Sequence, residues 1–198
     1  MDHTKDAVNS IDNATNSHGA QSNPFRLWFE VSIRPRQTLR KEKNNASLKK
    51  ALFHSAFSGL ICGIMMAGLV LFYIRSLNFE IDTTSLLLNL FLGAALMAPI
   101  SIVLNLLLFS GIIFLIAKAV KGKGSFTTQT YLLSITAAPI MIVGSAISLF
   151  FNVIEWPFSM NNPPQPINVL IYGIIMLPLL IYALFLLLSA LKEAHTKQ

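Results

Sequence analysis

The chain has 198 residues, of which 54% are hydrophobic and 12% charged, and it carries a formal net charge of +6. A soluble domain carries about 25% charged residues, so the balance excludes an ordinary water-soluble domain. The positive excess sits beside apolar runs and forms no extended soluble face, which excludes nucleic acid as the expected partner.

Residues 1–23 are rich in Asn, Asp, Ser, Thr and His, with isolated apolar residues only. That is the composition of a disordered polar tail. It contains no apolar run of the kind a cleaved signal peptide needs. His3 and His18 have no second ligand placed near them and read as solvated.

Residues 24–50 read as a cytoplasmic, basic and interfacial segment. Asn23 suits an N-cap, with Pro24 at the first helical position. Over 24–34, Arg26, Glu30 and Arg34 share one helical face, while Phe25, Leu27, Trp28, Phe29, Val31 and Ile33 fill the rest. A narrow charged stripe on an apolar, aromatic helix suits the membrane interface. The alternative is packing against the protein's own spans. Pro35 interrupts this helix. Arg34, Arg36, Arg40, Lys41, Lys43, Lys49 and Lys50 are seven of the fifteen Lys and Arg residues. Such a cluster directly before an apolar span places that side in the cytoplasm.

Residues 51–74, 83–117, 124–154 and 156–191 contain no Asp, Glu, Lys or Arg. Runs of that length read as membrane spans. The expected fold is therefore an all-α polytopic transmembrane bundle over 51–191. Its four full spans lie at about 51–74, 84–118, 129–151 and 167–191, with room for a short fifth at 84–97. In the first span, reading from Asn44-Asn45 as its start, Ser55, Gly59, Gly63 and Ala67 recur every four residues. Gly59 and Gly63 form a small-residue ridge for close helix packing, with oligomerisation left open. His54 lies in the first turn and is expected to reach the headgroup region. Cys62, the single cysteine, excludes an internal disulfide or cysteine-based metal site and reads as a small apolar residue.

The run 83–117 is too long for one straight crossing. At about 1.5 Å per residue it would reach about 52 Å against a hydrocarbon core of about 30 Å. Pro99 near its middle suggests a short helix over 84–97 followed by a full span from about 99 to 118, or two short crossings. Lys118, Lys121 and Lys123 should share a side with Lys49 and Lys50, which favours one crossing. Asn89 and Asn105 need partners inside the bundle.

Lys121-Gly122-Lys123-Gly124-Ser125-Phe126 lacks the spacing of a phosphate-binding loop and reads as a basic turn. Residues 152–165 carry Trp156 and no Lys or Arg, which suits the outer side. Lys192 and Lys197 in the 192–198 tail then return the C-terminus to the cytoplasm, with both termini on one side.

Two segments carry a resemblance. The first runs from Asn23-Pro24-Phe25 through Trp28 to Arg34-Pro35-Arg36-Gln37-Thr38-Leu39-Arg40. The second is Gly122-Lys123-Gly124-Ser125-Phe126, then Tyr131 and Ala137-Ala138-Pro139. In this order they resemble the YIP1 family of small polytopic membrane proteins over about residues 23–190, and the short loops look like its bacterial-type branch. The resemblance implies a helical membrane bundle, generally with five spans. Its eukaryotic members act in vesicle traffic between endoplasmic reticulum and Golgi and associate with Rab-type GTPases. It implies no catalytic residues, and no cofactor or metal is expected.

The expected function is that of a non-enzymatic scaffold or membrane-organising, trafficking-type factor in the bacterial inner membrane. Trp28, Arg34, Arg36, Arg40, Lys121, Lys123 and Phe126 would contact lipid headgroups or a protein partner, GTPase-type by the resemblance alone. The alternative is a small transporter or channel built on Pro99, Pro139 and Pro178, with Asn89, Ser101 and Asn105 as its polar site. Against that, the spans lack the charged groups that ion-coupled transporters use. An intramembrane enzyme would need a partner for His54, the one candidate base in a span, and the sequence supplies none.

Overall fold

A computed structural model of the chain describes residues 23–76, 83–159 and 166–196. Of the tail expected over residues 1–23, residues 1–22 lie outside the described residues, as do 160–165 of the outer loop expected over 152–165; residues 152–159 of that loop are instead helical, because the apolar run carries the helix on to Ser159. Among the described residues six helices follow one another: α1 (Pro24–Ile33), α2 (Pro35–Lys43), α3 (Leu48–Ser76), α4 (Thr83–Ala119), α5 (Phe126–Ser159) and α6 (Pro166–His195). Among the described residues four stretches are long and apolar enough to cross a membrane: Leu48–Ile74, Leu92–Ala119, Phe126–Val153 and Leu170–His195. The molecule is an all-α polytopic bundle.

The N-terminal helices form where backbone rules place them. Pro24 opens α1, and the Asn23 side chain accepts from the Phe25 N–H at 3.0 Å. Arg34, preceding Pro35, leaves the helical region at φ −129°, ψ 61°, as the clash with a proline ring demands. Pro35 then starts α2, a helix the sequence reading did not include. The first spanning helix begins at Leu48 instead of Asn44-Asn45. Ser47 caps it through its hydroxyl to the Lys50 N–H at 3.2 Å, while Asn44 closes α2.

α4 corrects the reading of 83–117. It is one continuous helix of 37 residues with Pro99 inside it, so no separate short helix exists at 84–97. A proline inside a helix removes one backbone hydrogen bond, and a packed neighbour makes that tolerable in an apolar setting. α3 supplies the neighbour. A Cβ on Gly59 would lie 2.7 Å from Pro99 Cα, and one on Gly63 would lie 2.5 Å from the Ala94 carbonyl oxygen. The two backbones touch because these positions have no side chains.

α3 and α5 form the centre, packed on each other, with α4 against α3 and α6 against α5. A third of the most apolar window is buried in α3 and in α5, against 6% in α4. The outer face of α4, with Leu96, Ile100, Leu104, Leu108 and Leu115, is exposed. So is that of α6, with Ile174, Leu177, Leu180, Leu184 and Leu188. Apolar surface of this extent is accommodated by lipid. α6 continues through Lys192 to His195, so most of the expected C-terminal tail is helical.

Candidate functional site

The buried polar side chains gather at one end of the bundle. Among the described residues they are Thr38, Glu42, His54, Ser55, Ser58, Ser110, Gln129, Thr130, Ser134 and Thr136. All belong to α2, the beginnings of α3 and α5, or the last third of α4. The buried apolar cluster of Leu27, Val31, Leu39, Ala51, Tyr131, Leu132, Ile135, Ala190 and Ala194 occupies the same end. A polar headpiece therefore sits on an apolar membrane body.

Three links dock the N-terminal helices onto this end. The buried Tyr131 hydroxyl donates to the Glu42 carboxylate at 2.6 Å. Lys43 Nζ donates to the Thr196 carbonyl at 2.7 Å. The Tyr182 hydroxyl donates to the Ser32 carbonyl. Hydrogen bonds to a charged group contribute about 1.5–3 kcal/mol, so the Glu42 contact holds α2 firmly.

A second chain of bonds organises the basic turn. The Gly124 N–H donates to His195 Nδ1 at 3.0 Å, and His195 Nε2 lies 3.0 Å from Gln129 Oε1. Because Nδ1 accepts, Nε2 carries the proton and donates to Gln129. Gln129 Nε2 then donates to the Ser110 carbonyl at 2.9 Å, and the Ser110 hydroxyl meets Thr130 Oγ1 at 2.7 Å. α4, α5, α6 and the turn are thus joined by one polar network.

The glycines of the turn have a direct cause. Gly122 N–H bonds the Ala117 carbonyl at 2.7 Å and Lys121 N–H bonds the Lys118 carbonyl at 3.0 Å, which is a Schellman ending to α4. Lys121 takes the left-handed position, φ 62°. A Cβ on Gly122 or Gly124 would lie 2.8 Å from His195 Nδ1. The Gly-x-Gly spacing lets the backbone close over the imidazole.

The sequence-predicted site residues divide. Arg34, Arg36, Arg40, Lys121 and Lys123 are exposed, and both basic segments meet the end of α6, through Lys43–Thr196 and Gly124–His195. Phe126 is half-buried, edge-on to Phe114 at 5.7 Å. Trp28 does not present a surface. It is 3% exposed and packs on His54 and Phe57 at 5.9 and 5.8 Å. Nor does His54 reach outward; it is buried, and its Nδ1 and Trp28 Nε1 have no hydrogen-bond partner among the described residues. Asn89, Ser101 and Asn105 are exposed on α4. Asn105 donates to the Ser101 carbonyl of its own helix at 2.8 Å, in place of a partner inside the bundle. The residues that sequence reasoning missed are Glu42, Gln129 and His195, each joined to a partner distant in the chain.

The described residues hold no group of three or more metal-ligating side chains. No curated protein and no solved structure matches the chain. The family model for the Yip1 domain matches residues 29–197, from within α1 through the basic turn to the end of α6, and the chain accordingly belongs to the Yip1 domain family.

Proposed function

We propose that the chain is a non-enzymatic membrane scaffold that recruits a partner through the basic surface of its headpiece. In this reading both termini and the headpiece face the cytoplasm, from the bacterial inner membrane. The observation that carries it is the exposed strip of Arg36, Arg40 and Lys41 on a firmly docked helix, with exposed Arg34 at its N-cap. Among the described residues no carboxylate pairs with any of them. Leu39 and Glu42 bury the opposite side of α2, so the cations project from a fixed support. Basic patches of this kind steer acidic partners and set their orientation.

The test is Arg34→Glu, Arg36→Glu and Arg40→Glu combined in the full-length protein. The expected result is loss of cross-linked partners in cell membranes with the protein still inserted. Unchanged partners, localisation and orientation would remove the proposal.

A further inference from the structure

α1 and α2 meet at an elbow that encloses a groove of about 430 Å³. Phe29, Glu30 and Ile33 of α1, Arg34 at the bend, and Gln37, Thr38 and Lys41 of α2 line it. The volume falls within the range of about 300–1,000 Å³ typical of small-molecule sites.

Its two walls differ in chemistry. On α1, Phe29 and Ile33 are 66% and 59% exposed, and Phe25, at 54%, continues the same stripe. Phe25 meets Phe57 edge-on at 5.6 Å, and Phe57 stacks on Phe53 at 5.8 Å. An apolar track therefore runs from α1 onto α3, a membrane-spanning helix. On the other wall Arg34 and Lys41 are exposed, and Gln37 adds an amide. Glu30 does not cancel them, because Arg26 pairs with it at 2.9 Å. The Thr38 hydroxyl is committed to the Glu30 carbonyl at 3.3 Å.

We propose that this groove binds an anionic phospholipid of the surrounding bilayer. Its phosphodiester sits with Arg34 and Lys41, and an acyl chain follows Ile33, Phe29 and Phe25. Charge complementarity selects an anionic headgroup, and the track toward α3 selects a molecule that is part polar and part hydrocarbon. Cations beside apolar side chains at a membrane surface favour such lipids. The inference deepens the scaffold reading, resting on it for the placement of the headpiece at a membrane surface, and makes the lipid part of the recruiting face.

The experiment is native mass spectrometry of the full chain released from nanodiscs of phosphatidylcholine and phosphatidylglycerol. Wild type should retain phosphatidylglycerol in preference to phosphatidylcholine. R34Q/K41Q should weaken that retention about fivefold for each cation removed, and F29Q/I33Q should weaken it independently. K49Q/K192Q, exposed cations outside the groove, serves as the control and should retain lipid as wild type does. Excess glycerol 3-phosphate should not displace the lipid. Retention by R34Q/K41Q equal to the control, or displacement by soluble glycerol 3-phosphate, overturns the proposal. If lipid is lost in R34Q/K41Q while R34E/R36E/R40E keeps every protein partner, the lipid site stands and partner recruitment falls. The converse result removes the lipid site alone.

Discussion

The Tyr131 hydroxyl donates to the Glu42 carboxylate at 2.6 Å, although the two residues are 89 positions apart. One belongs to the short helix before the first span and the other to the first turns of the third. Both are buried, so the bond replaces hydration that the carboxylate has given up. Tyr131→Phe should lower stability by about 2 kcal/mol, within the range for a buried charged acceptor losing its donor. Glu42→Gln keeps an acceptor and should cost about 1 kcal/mol or less. Unfolding of the two single variants and the double variant in detergent gives the coupling. Additive losses would show that the carboxylate's charge adds nothing to the contact.

The α3–α4 contact should be intolerant at Gly59 and indifferent at Gly68. A methyl on Gly59 would lie 2.7 Å from Pro99 Cα, whereas nothing lies within 4 Å of a Cβ on Gly68. Backbone cannot move aside as a flexible side chain does. Gly59→Ala should cost about 1–3 kcal/mol, and Gly68→Ala should change stability by no more than about 1 kcal/mol, in the favourable direction. Thermal melting of both in the same detergent decides it. Equal melting temperatures would mean that the helices are not in backbone contact.

Lys121 occupies the left-handed position of the turn, φ 62°, which costs a side-chain-bearing residue about 1–2 kcal/mol and costs glycine little. Lys121→Gly should therefore stabilise the protein by about 1 kcal/mol. Lys121→Val should destabilise it, since a β-branched residue suits this conformation least. A denaturant series on both variants checks the sign, and a stabilising valine would contradict the Schellman geometry.

His195→Ala should release the basic turn. It removes the acceptor of the Gly124 N–H and the donor to Gln129 Oε1. A buried polar group left unmet costs about 1–3 kcal/mol. Limited proteolysis at Lys121 and Lys123 should accelerate at least about fivefold, as expected for a local opening made about 1 kcal/mol easier. A cleavage rate equal to wild type would show that the imidazole does not hold the turn.

Much of the membrane body was legible from composition. The charge-free runs fall on α3 to α6, because an apolar helix surface needs no partner-specific information to be recognised. The ridge at Gly59 and Gly63 was also readable by its spacing, though not its partner, Pro99. The continuity of α4 was hidden for that reason: a proline signals a break unless a neighbour supports it, and the neighbour lies forty residues earlier. Trp28 was misjudged because an aromatic residue on a short helix has two apolar directions available. Phe25, Phe29 and Ile33 take the outward one, and Trp28 takes the inward one. Glu42, Gln129 and His195 went unnoticed because each acquires meaning only through a residue far along the chain.

The links of α1 and α2 to the C-terminal end set an order of assembly. Lys43 waits for Thr196, 153 positions later, and Ser32 waits for Tyr182, 150 positions later. A chain leaving the ribosome makes its N-terminal helices first, yet it cannot seat them fully until the last span has been delivered. A nascent or truncated chain without α6 would leave the Leu39 face of α2 without the neighbour that carries Ala190 and Ala194. The seating of the headpiece therefore finishes last, although its helices are the first to be made.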